Sequence, residues 1–305
     1  MQIPLKDKHP VIQLLAFIGL SVASLIVVML LGMIVGVSVW GPEFIDSFQA
    51  QVNDQSQLMY LKYIQILSHL GMFIVPAFIF GWLAGGNTIK YFTLDKNAKF
   101  SLFLLAIAII IFSQPLINLL TEWNNGLTLP KRFSNIEQWM KESEEQAAVL
   151  TNLFMQTREW DGFIFNVFMM AVIPAIGEEL VFRGVLQKLL IKWFKMAWVA
   201  IILTAIIFSA FHMQFYGFVP RVVLGLILGY CFYVTGKLWI SITIHFINNA
   251  MAVTVYWLYN KEVINIAPEE FSNFNNNLLL LSISIFLLAI SVYIFVINAN
   301  TKKSE

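Results

Sequence analysis

Long apolar runs separated by short polar segments define the pattern of this chain. The runs occupy roughly residues 11–40, 58–84, 100–120, 162–190, 197–215, 218–236, 238–259 and 277–298. A helix needs about 20 apolar residues to cross a bilayer. Transmembrane β-strands are shorter and alternate apolar with polar residues, which these runs do not. The pattern predicts an all-α polytopic membrane protein with about eight transmembrane helices, forming one integral membrane domain over residues 1–305.

Composition agrees with that class. The chain is 59% hydrophobic and 12% charged, whereas soluble domains are about 50% apolar and about 25% charged. A net charge of +1 gives no sign of a nucleic-acid partner, and Cys231 is the only cysteine, so no intramolecular disulfide can form. The first apolar run is about twice the length of a signal-peptide core, and we expect it to be retained as a span.

Charges in the polar segments alternate along the chain. Lysines mark every second segment, at positions 6 and 8, 90, 96 and 99, 188, 192 and 195, 237, and 302 and 303. The intervening segments are acidic, with Glu43, Asp46, Asp54, Glu137, Glu142, Glu144 and Glu145. Lysine-rich segments face the cytoplasm in most membrane proteins. The alternation predicts cytoplasmic N- and C-termini. The membrane that we expect for this multi-pass protein is a prokaryotic plasma membrane.

Two further features concern surfaces. The segment 121–161 is expected outside the cytoplasm, and its part 131–157 has a helical pattern of apolar and acidic residues. This helix either lies on the outer membrane surface or forms a solvated loop. Gly225 and Gly229 form a GxxxG pair, for which we favour packing inside the chain over dimerisation. Whether the chain forms an oligomer stays open.

Three polar clusters interrupt the apolar runs. They are Glu178-Glu179 with Arg183, His212, and His245 with Asn249. A charged side chain at membrane depth costs at least a few kcal/mol, so such residues usually face the protein interior and mark a function.

The first cluster assigns different environments to its two carboxylates. Glu179 and Arg183 are four residues apart, so they share one helix face and can pair. Glu178 is turned about 100° away from Glu179. It is therefore free to act as a base while its neighbour is held in an ion pair. Pro174 removes a backbone donor just before this site and predicts a kink or a widening of the helix.

Counting from the lysine-rich turns places the three clusters at one depth. Glu178 precedes Lys195 by as many residues as His212 follows it, and His245 follows Lys237 closely. At about 1.5 Å per residue, all three polar groups are expected roughly 10–15 Å inside the cytoplasmic boundary.

Together these side chains supply the groups that amide hydrolysis needs. Glu178 and His212 are candidates to orient and deprotonate a water. His245 and Asn249 lie one helical turn apart and are candidates for two neutral oxyanion donors. His69, on the second span, has no partner motif. We predict for it only an interhelical hydrogen bond.

The motifs EExxxR (Glu178 to Arg183), FxxxH (Phe208 to His212) and HxxxN (His245 to Asn249) resemble those of the CPBP (Abi) family, which includes type II CAAX prenyl endopeptidases and proteins linked to bacteriocins. The resemblance covers about 160–255, the expected catalytic core. It implies an intramembrane glutamate endopeptidase. By motif, Glu178 would be the base, His212 would position the water, His245 and Asn249 would form the oxyanion site, and Glu179 and Arg183 would hold the geometry.

We expect the reaction to need no cofactor. Members of the family have often been named metalloproteases, and the less favoured alternative is zinc held by Glu178, His212 and His245. The expected partners are a membrane-tethered or lipidated peptide, CAAX-like or bacteriocin-related, and membrane lipids. Two other classes stay open: a proton-coupled transporter, since intramembrane Glu and His also carry protons, and a non-catalytic immunity or scaffold protein.

Overall fold

A computed structural model describes residues 4–46, 55–268 and 278–300. Over these residues the regular structure is helical and contains no strand. Asp54, Lys302 and Lys303, which entered the orientation argument, lie outside them. The main helices are α1 (Pro10–Trp40), α2 (Gln57–Gly85), α3 (Phe100–Asn125), α4 (Ser134–Met155), α5 (Trp160–Phe194), α6 (Ala197–Phe211), α7 (Phe218–Thr235), α8 (Leu238–Asn260) and α9 (Leu278–Asn300). Short helical turns are Glu43–Asp46, Thr88–Tyr91 and the 3₁₀ turn Lys131–Phe133.

All eight predicted apolar runs are helical, and within the described residues seven helices are long and apolar enough to cross a membrane. The chain is an integral, multi-pass membrane protein. The eighth apolar helix, α6, is shorter than these seven. It has 15 residues and is only about 22 Å long at 1.5 Å per residue. It ends four residues before the predicted limit, because the chain turns at His212 and Met213 has a positive φ of 53°.

Arg221 stabilises the turn that follows α6. Its guanidinium donates to the backbone oxygen of Gln214 at 3.0 Å and to Gln214 Oε1 at 2.6 Å. The turn therefore has a fixed conformation, and α7 starts directly after it.

Helix α5 lies at the centre of the bundle. Over an 18-residue apolar stretch of α5, 56% of the residues are buried, compared with 11% in such a stretch of α1 and 17% in that of α9. The poorly buried helices expose apolar side chains on most of their surface, as lipid-facing helices do. One apolar cluster joins α1, α2, α5 and α6, and a second joins α3, α7, α8 and α9. Helix α8 contributes Ile242 to the first cluster and Ile244 to the second.

The lysine-rich segments lie together at one end of the bundle. Leu5 donates its backbone N–H to the Leu83 carbonyl at 3.0 Å. Lys188 Nζ donates to the Tyr91 carbonyl. Lys237 Nζ donates to the Asn97 carbonyl. The predicted alternation of lysine-rich and acidic segments thus corresponds to the two ends of the bundle over the described residues, while the assignment of one end to the cytoplasm stays a prediction.

The predicted helix within 121–161 is present as α4. It lies over the turn after α6, where Glu144 Oε2 accepts from the Tyr216 backbone N–H at 3.2 Å and the Trp139 and Phe215 rings are 5.2 Å apart. Its apolar residues Ile136 and Val149 are exposed.

Candidate active site

Two widened helical turns bring α2 and α5 together. Leu70–Ile74 in α2 and Phe168–Val172 in α5 are π-helical, and each ends two residues before a proline, Pro76 and Pro174. A proline has no N–H for the carbonyl four residues earlier, so the ladder shifts to a wider turn. The widening predicted at Pro174 is therefore present, and α2 repeats it.

Gly177 allows the two widened helices to approach closely. A Cβ at Gly177 would lie 3.0 Å from Phe73 Cβ and 3.1 Å from Ile74 Cγ1, both in the π turn of α2. The residue after this glycine is Glu178. The close contact therefore places the Glu178 side chain against α2.

Three of the four histidines of the chain surround Glu178. His69 Nε2 lies 3.4 Å from Glu178 Oε1. On the other carboxylate oxygen, Oε2, His245 Nε2 lies at 3.8 Å and His212 Nε2 at 3.9 Å. Glu178 Oε2 is buried and has no direct hydrogen-bond partner among the described residues. The predicted convergence of Glu178, His212 and His245 at one depth is therefore present.

The predicted ion pair is also present, and it includes a histidine. Arg183 Nη1 donates to Glu179 Oε1 at 2.7 Å, with both side chains fully buried. His245 Nδ1 lies 2.9 Å from the same oxygen. Arg183 also donates to the Gly225 carbonyl at 3.0 Å and lies over the Phe208 ring. Arg183, Glu179 and His245 thus form one hydrogen-bonded group that holds the imidazole next to Glu178.

The glycine pair of α7 serves this packing. A Cβ at Gly225 would lie 2.9 Å from Ala205 Cβ in α6, and one at Gly229 would lie 2.7 Å from Gln187 Oε1. Both glycine carbonyls accept hydrogen bonds from α5, from Arg183 and Gln187. The GxxxG pair therefore packs inside the chain, as we favoured.

The hydrogen bonds at Nδ1 fix the tautomers of two histidines. His212 Nδ1 lies 2.9 Å from the Phe208 carbonyl, and His245 Nδ1 faces the Glu179 carboxylate. Because both partners accept, each Nδ1 carries a proton, and in a neutral ring Nε2 then carries none. His245 can donate from Nε2 only as an imidazolium. It does not have the neutral donor that the sequence analysis assigned to it.

Asn249 lies one turn beyond His245 and is held by its own partners. Its Nδ2 donates to the Met170 carbonyl at 3.2 Å, and its Oδ1 accepts from Asn248 at 3.2 Å. Asn248 in turn accepts from Gln114 at 3.2 Å. Asn249 therefore borders the site, while in this conformation its amide proton is directed to the backbone of α5.

His69 is the site residue that the sequence analysis missed. We assigned it only a structural hydrogen bond, and it instead contacts the central carboxylate across 109 residues of chain separation. Two nearby residues could have pointed to His69. Gln65 lies one turn earlier and can hydrogen-bond to the imidazole, and Pro76 follows seven residues later and predicts a widened turn between them.

The site is most open at His212, whose side chain is 28% exposed, compared with 9% for Glu178 and 4% for His245. The end of α6 is therefore the most accessible part of the site. Because α6 ends at Phe211, His212 is partly exposed, while Glu178 itself stays buried.

Glutamate and imidazole are chemically suitable zinc ligands. Among the described residues, however, no group of three or more His, Cys, Asp or Glu has the arrangement of a metal site.

The sequence profile of one protein family, described as type II CAAX prenyl endopeptidase Rce1-like, matches residues 160–251. The match confirms the family resemblance and contains all three motifs. No curated protein and no solved structure matched the chain. The chain thus carries an Rce1-like domain, of a protease family, within a multi-pass membrane protein.

Proposed function

We propose that this chain, with its Rce1-like domain, is an intramembrane endopeptidase in which Glu178 activates a water to hydrolyse a peptide bond. The observation that carries the proposal is the position of Glu178 Oε2. This buried oxygen has no direct hydrogen-bond partner among the described residues and faces two imidazole nitrogens.

The distances around this oxygen suit one bridging water. Glu178 Oε2 is 3.8 Å from His245 Nε2 and 3.9 Å from His212 Nε2, which exceeds a direct hydrogen bond. A water about 2.8 Å from each atom spans such a gap. Its two protons are then directed to Glu178 Oε2 and to the unprotonated His212 Nε2, which orients an oxygen lone pair for attack.

The proton steps follow from these positions. The water oxygen attacks the carbonyl carbon of the peptide bond while one water proton moves to Glu178. The resulting tetrahedral intermediate carries a negative oxygen. When the C–N bond breaks, Glu178 transfers its proton to the departing nitrogen, giving a free amine and a carboxylic acid; the second water proton, still on the acid, then passes to the amine and leaves an ammonium and a carboxylate. Glu178 ends the cycle deprotonated.

His245 supplies the positive charge near the oxyanion. Glu178, Glu179 and Arg183 together carry a formal charge of −1, and a buried net charge is costly inside a membrane. A protonated His245 between the two carboxylates makes the group neutral. Its Nε2 then has a proton to donate to the oxyanion, and Asn249 adds a second donor after its amide turns away from Met170.

The substrate class we propose is a membrane-tethered or lipidated peptide. A buried carboxylate within a spanning helix is out of reach of a soluble folded protein, whereas a lipid-anchored peptide is held at the membrane. The name of the matched family points to prenylated CAAX peptides. The membrane is a prokaryotic plasma membrane, and the lysine-rich end of the bundle lies in its cytoplasm.

Terminal proteomics tests the substrate proposal. Membranes from cells with the wild-type protein and with Glu178→Ala are compared for peptide ends. We expect at least one new end in a membrane-associated protein or peptide that is present with the wild type and absent with the variant. Identical sets of ends at equal protein levels would contradict an endopeptidase role in those cells.

Metal removal tests the mechanism. We expect the activity of the purified protein to survive exhaustive chelation, because Glu178 and His212 act on the water, and His245 on the oxyanion, without an intervening ion. The measurement combines turnover with elemental analysis of protein prepared without a nickel column. About one zinc per chain, lost with activity and restored with it, would instead make these three side chains metal ligands.

A further inference from the structure

We propose that His69 is a positioning residue for the reaction: it holds Glu178 Oε1 so that Oε2 faces His212 and His245. This inference rests on the proposed function of Glu178. His69 lies outside the matched range 160–251, on α2 rather than on a motif helix.

The hydrogen bonds of the imidazole give it a direction. Gln65 Nε2 lies 3.3 Å from His69 Nδ1. An amide nitrogen can only donate, so Nδ1 accepts and the ring proton is on Nε2. His69 Nε2 then donates to Glu178 Oε1 at 3.4 Å. The relay from Gln65 through His69 to Glu178 thus presents a neutral donor to the carboxylate.

This donor is the only direct hydrogen bond that fixes the Glu178 carboxylate among the described residues. Oε1 accepts from His69, and Oε2 has no direct partner. The last torsion of a glutamate side chain is broad, so an unrestrained carboxylate rotates readily. Holding one oxygen therefore determines where the second one points, and the second oxygen is the proposed base.

The imidazole itself is held firmly. Its ring stacks on Phe73, with ring centroids 5.3 Å apart. The π turn that follows His69 is pressed against α1, where a Cβ at Gly71 would lie 2.9 Å from Leu25 Cα. On its other side the same turn packs against Gly177. His69 is therefore positioned by the close packing of this turn against both neighbouring helices.

Two substitutions at His69 distinguish the loss of the hydrogen-bond donor from the loss of the aromatic ring. His69→Gln places an amide N–H near the Nε2 position but removes the ring, and His69→Phe keeps a ring against Phe73 but removes the donor. Because His69 touches Glu178 and not the substrate, we expect His69→Phe to lower kcat by about 10–100-fold with little change in KM. We expect His69→Gln to recover a large part of kcat. If the ring packing alone matters, the order of the two variants is reversed.

The assay uses a farnesylated CAAX peptide, purified protein in lipid nanodiscs, and mass spectrometry of the products. A thermal double-mutant cycle of His69→Phe and Glu178→Ala tests the contact without substrate, and we expect non-additive effects on the thermal midpoint.

Wild-type kcat in His69→Phe, or additive effects in the cycle, would overturn the role of His69 and leave the proposed function standing. A wild-type protein that cleaves nothing although the cycle shows coupling would overturn the proposed function, and the positioning role with it.

Discussion

Replacing Glu178 by glutamine should lower kcat by about 10²–10⁴-fold, the usual loss when a general base is removed. The glutamine keeps the size of the side chain and can still accept a hydrogen bond from His69. Glu178 makes no ion pair with Arg183, which is bound to Glu179. The variant should therefore fold normally in detergent. Single-turnover cleavage of a farnesylated peptide measures the loss.

Glu159→Gln is the matched control for this variant. Glu159 directly precedes α5 and is exposed. The same chemical change there should leave kcat unaltered. A Glu178→Gln protein with near wild-type turnover would remove Glu178 from the reaction, whereas a loss of folding would show that its carboxylate is structural.

Removing either member of the buried ion pair should destabilise the protein. Glu179 and Arg183 are both fully buried, and their side chains meet at 2.7 Å. Truncating one leaves the other charged without compensation, at a cost of about 3–5 kcal/mol. We therefore expect Glu179→Ala and Arg183→Ala to lower the thermal midpoint in detergent. Both should also lower the activity, because Glu179 orients His245 and Arg183 holds Glu179.

The exposed pair of Arg158 and Glu262 provides the comparison. It is as short, at 2.6 Å, but its side chains are 66% and 73% exposed. Water solvates whichever charge remains, so Arg158→Ala should shift the midpoint far less. Equal midpoints for wild type, Arg158→Ala and Arg183→Ala would show that the Glu179–Arg183 pair contributes nothing to folding.

Much of the fold and part of the site follow from local sequence. The length of each apolar run predicts its helix, and the alternation of lysine-rich segments predicts which helix ends lie together. The pairing of Glu179 with Arg183 follows from their spacing on one helix. Counting from Lys195 brings Glu178 and His212 to one depth because no loop interrupts α5 up to Phe194 or α6 from Ala197 to Phe211, although Leu180–Gln187 within α5 is π-helical.

The remaining features depend on contacts between distant parts of the chain. Pro76 predicts a widened turn after His69, but the sequence does not show that this turn packs against Gly177 in α5. The proton position on His245 depends on Glu179, a partner 66 residues away. The early end of α6 reflects the turn tied by Arg221, which no apolar run reveals.

The most direct measurement is hydrolysis in water enriched in oxygen-18 by purified, chelator-treated protein. The wild type should release a shortened peptide whose new carboxylate carries one oxygen-18 from the solvent, and Glu178→Gln should release almost none. Labelled product formed equally by both proteins would contradict activation of water by Glu178. If the wild-type protein shortens none of the prenylated or otherwise lipidated peptides offered to it, the proposal that it is an endopeptidase would be contradicted.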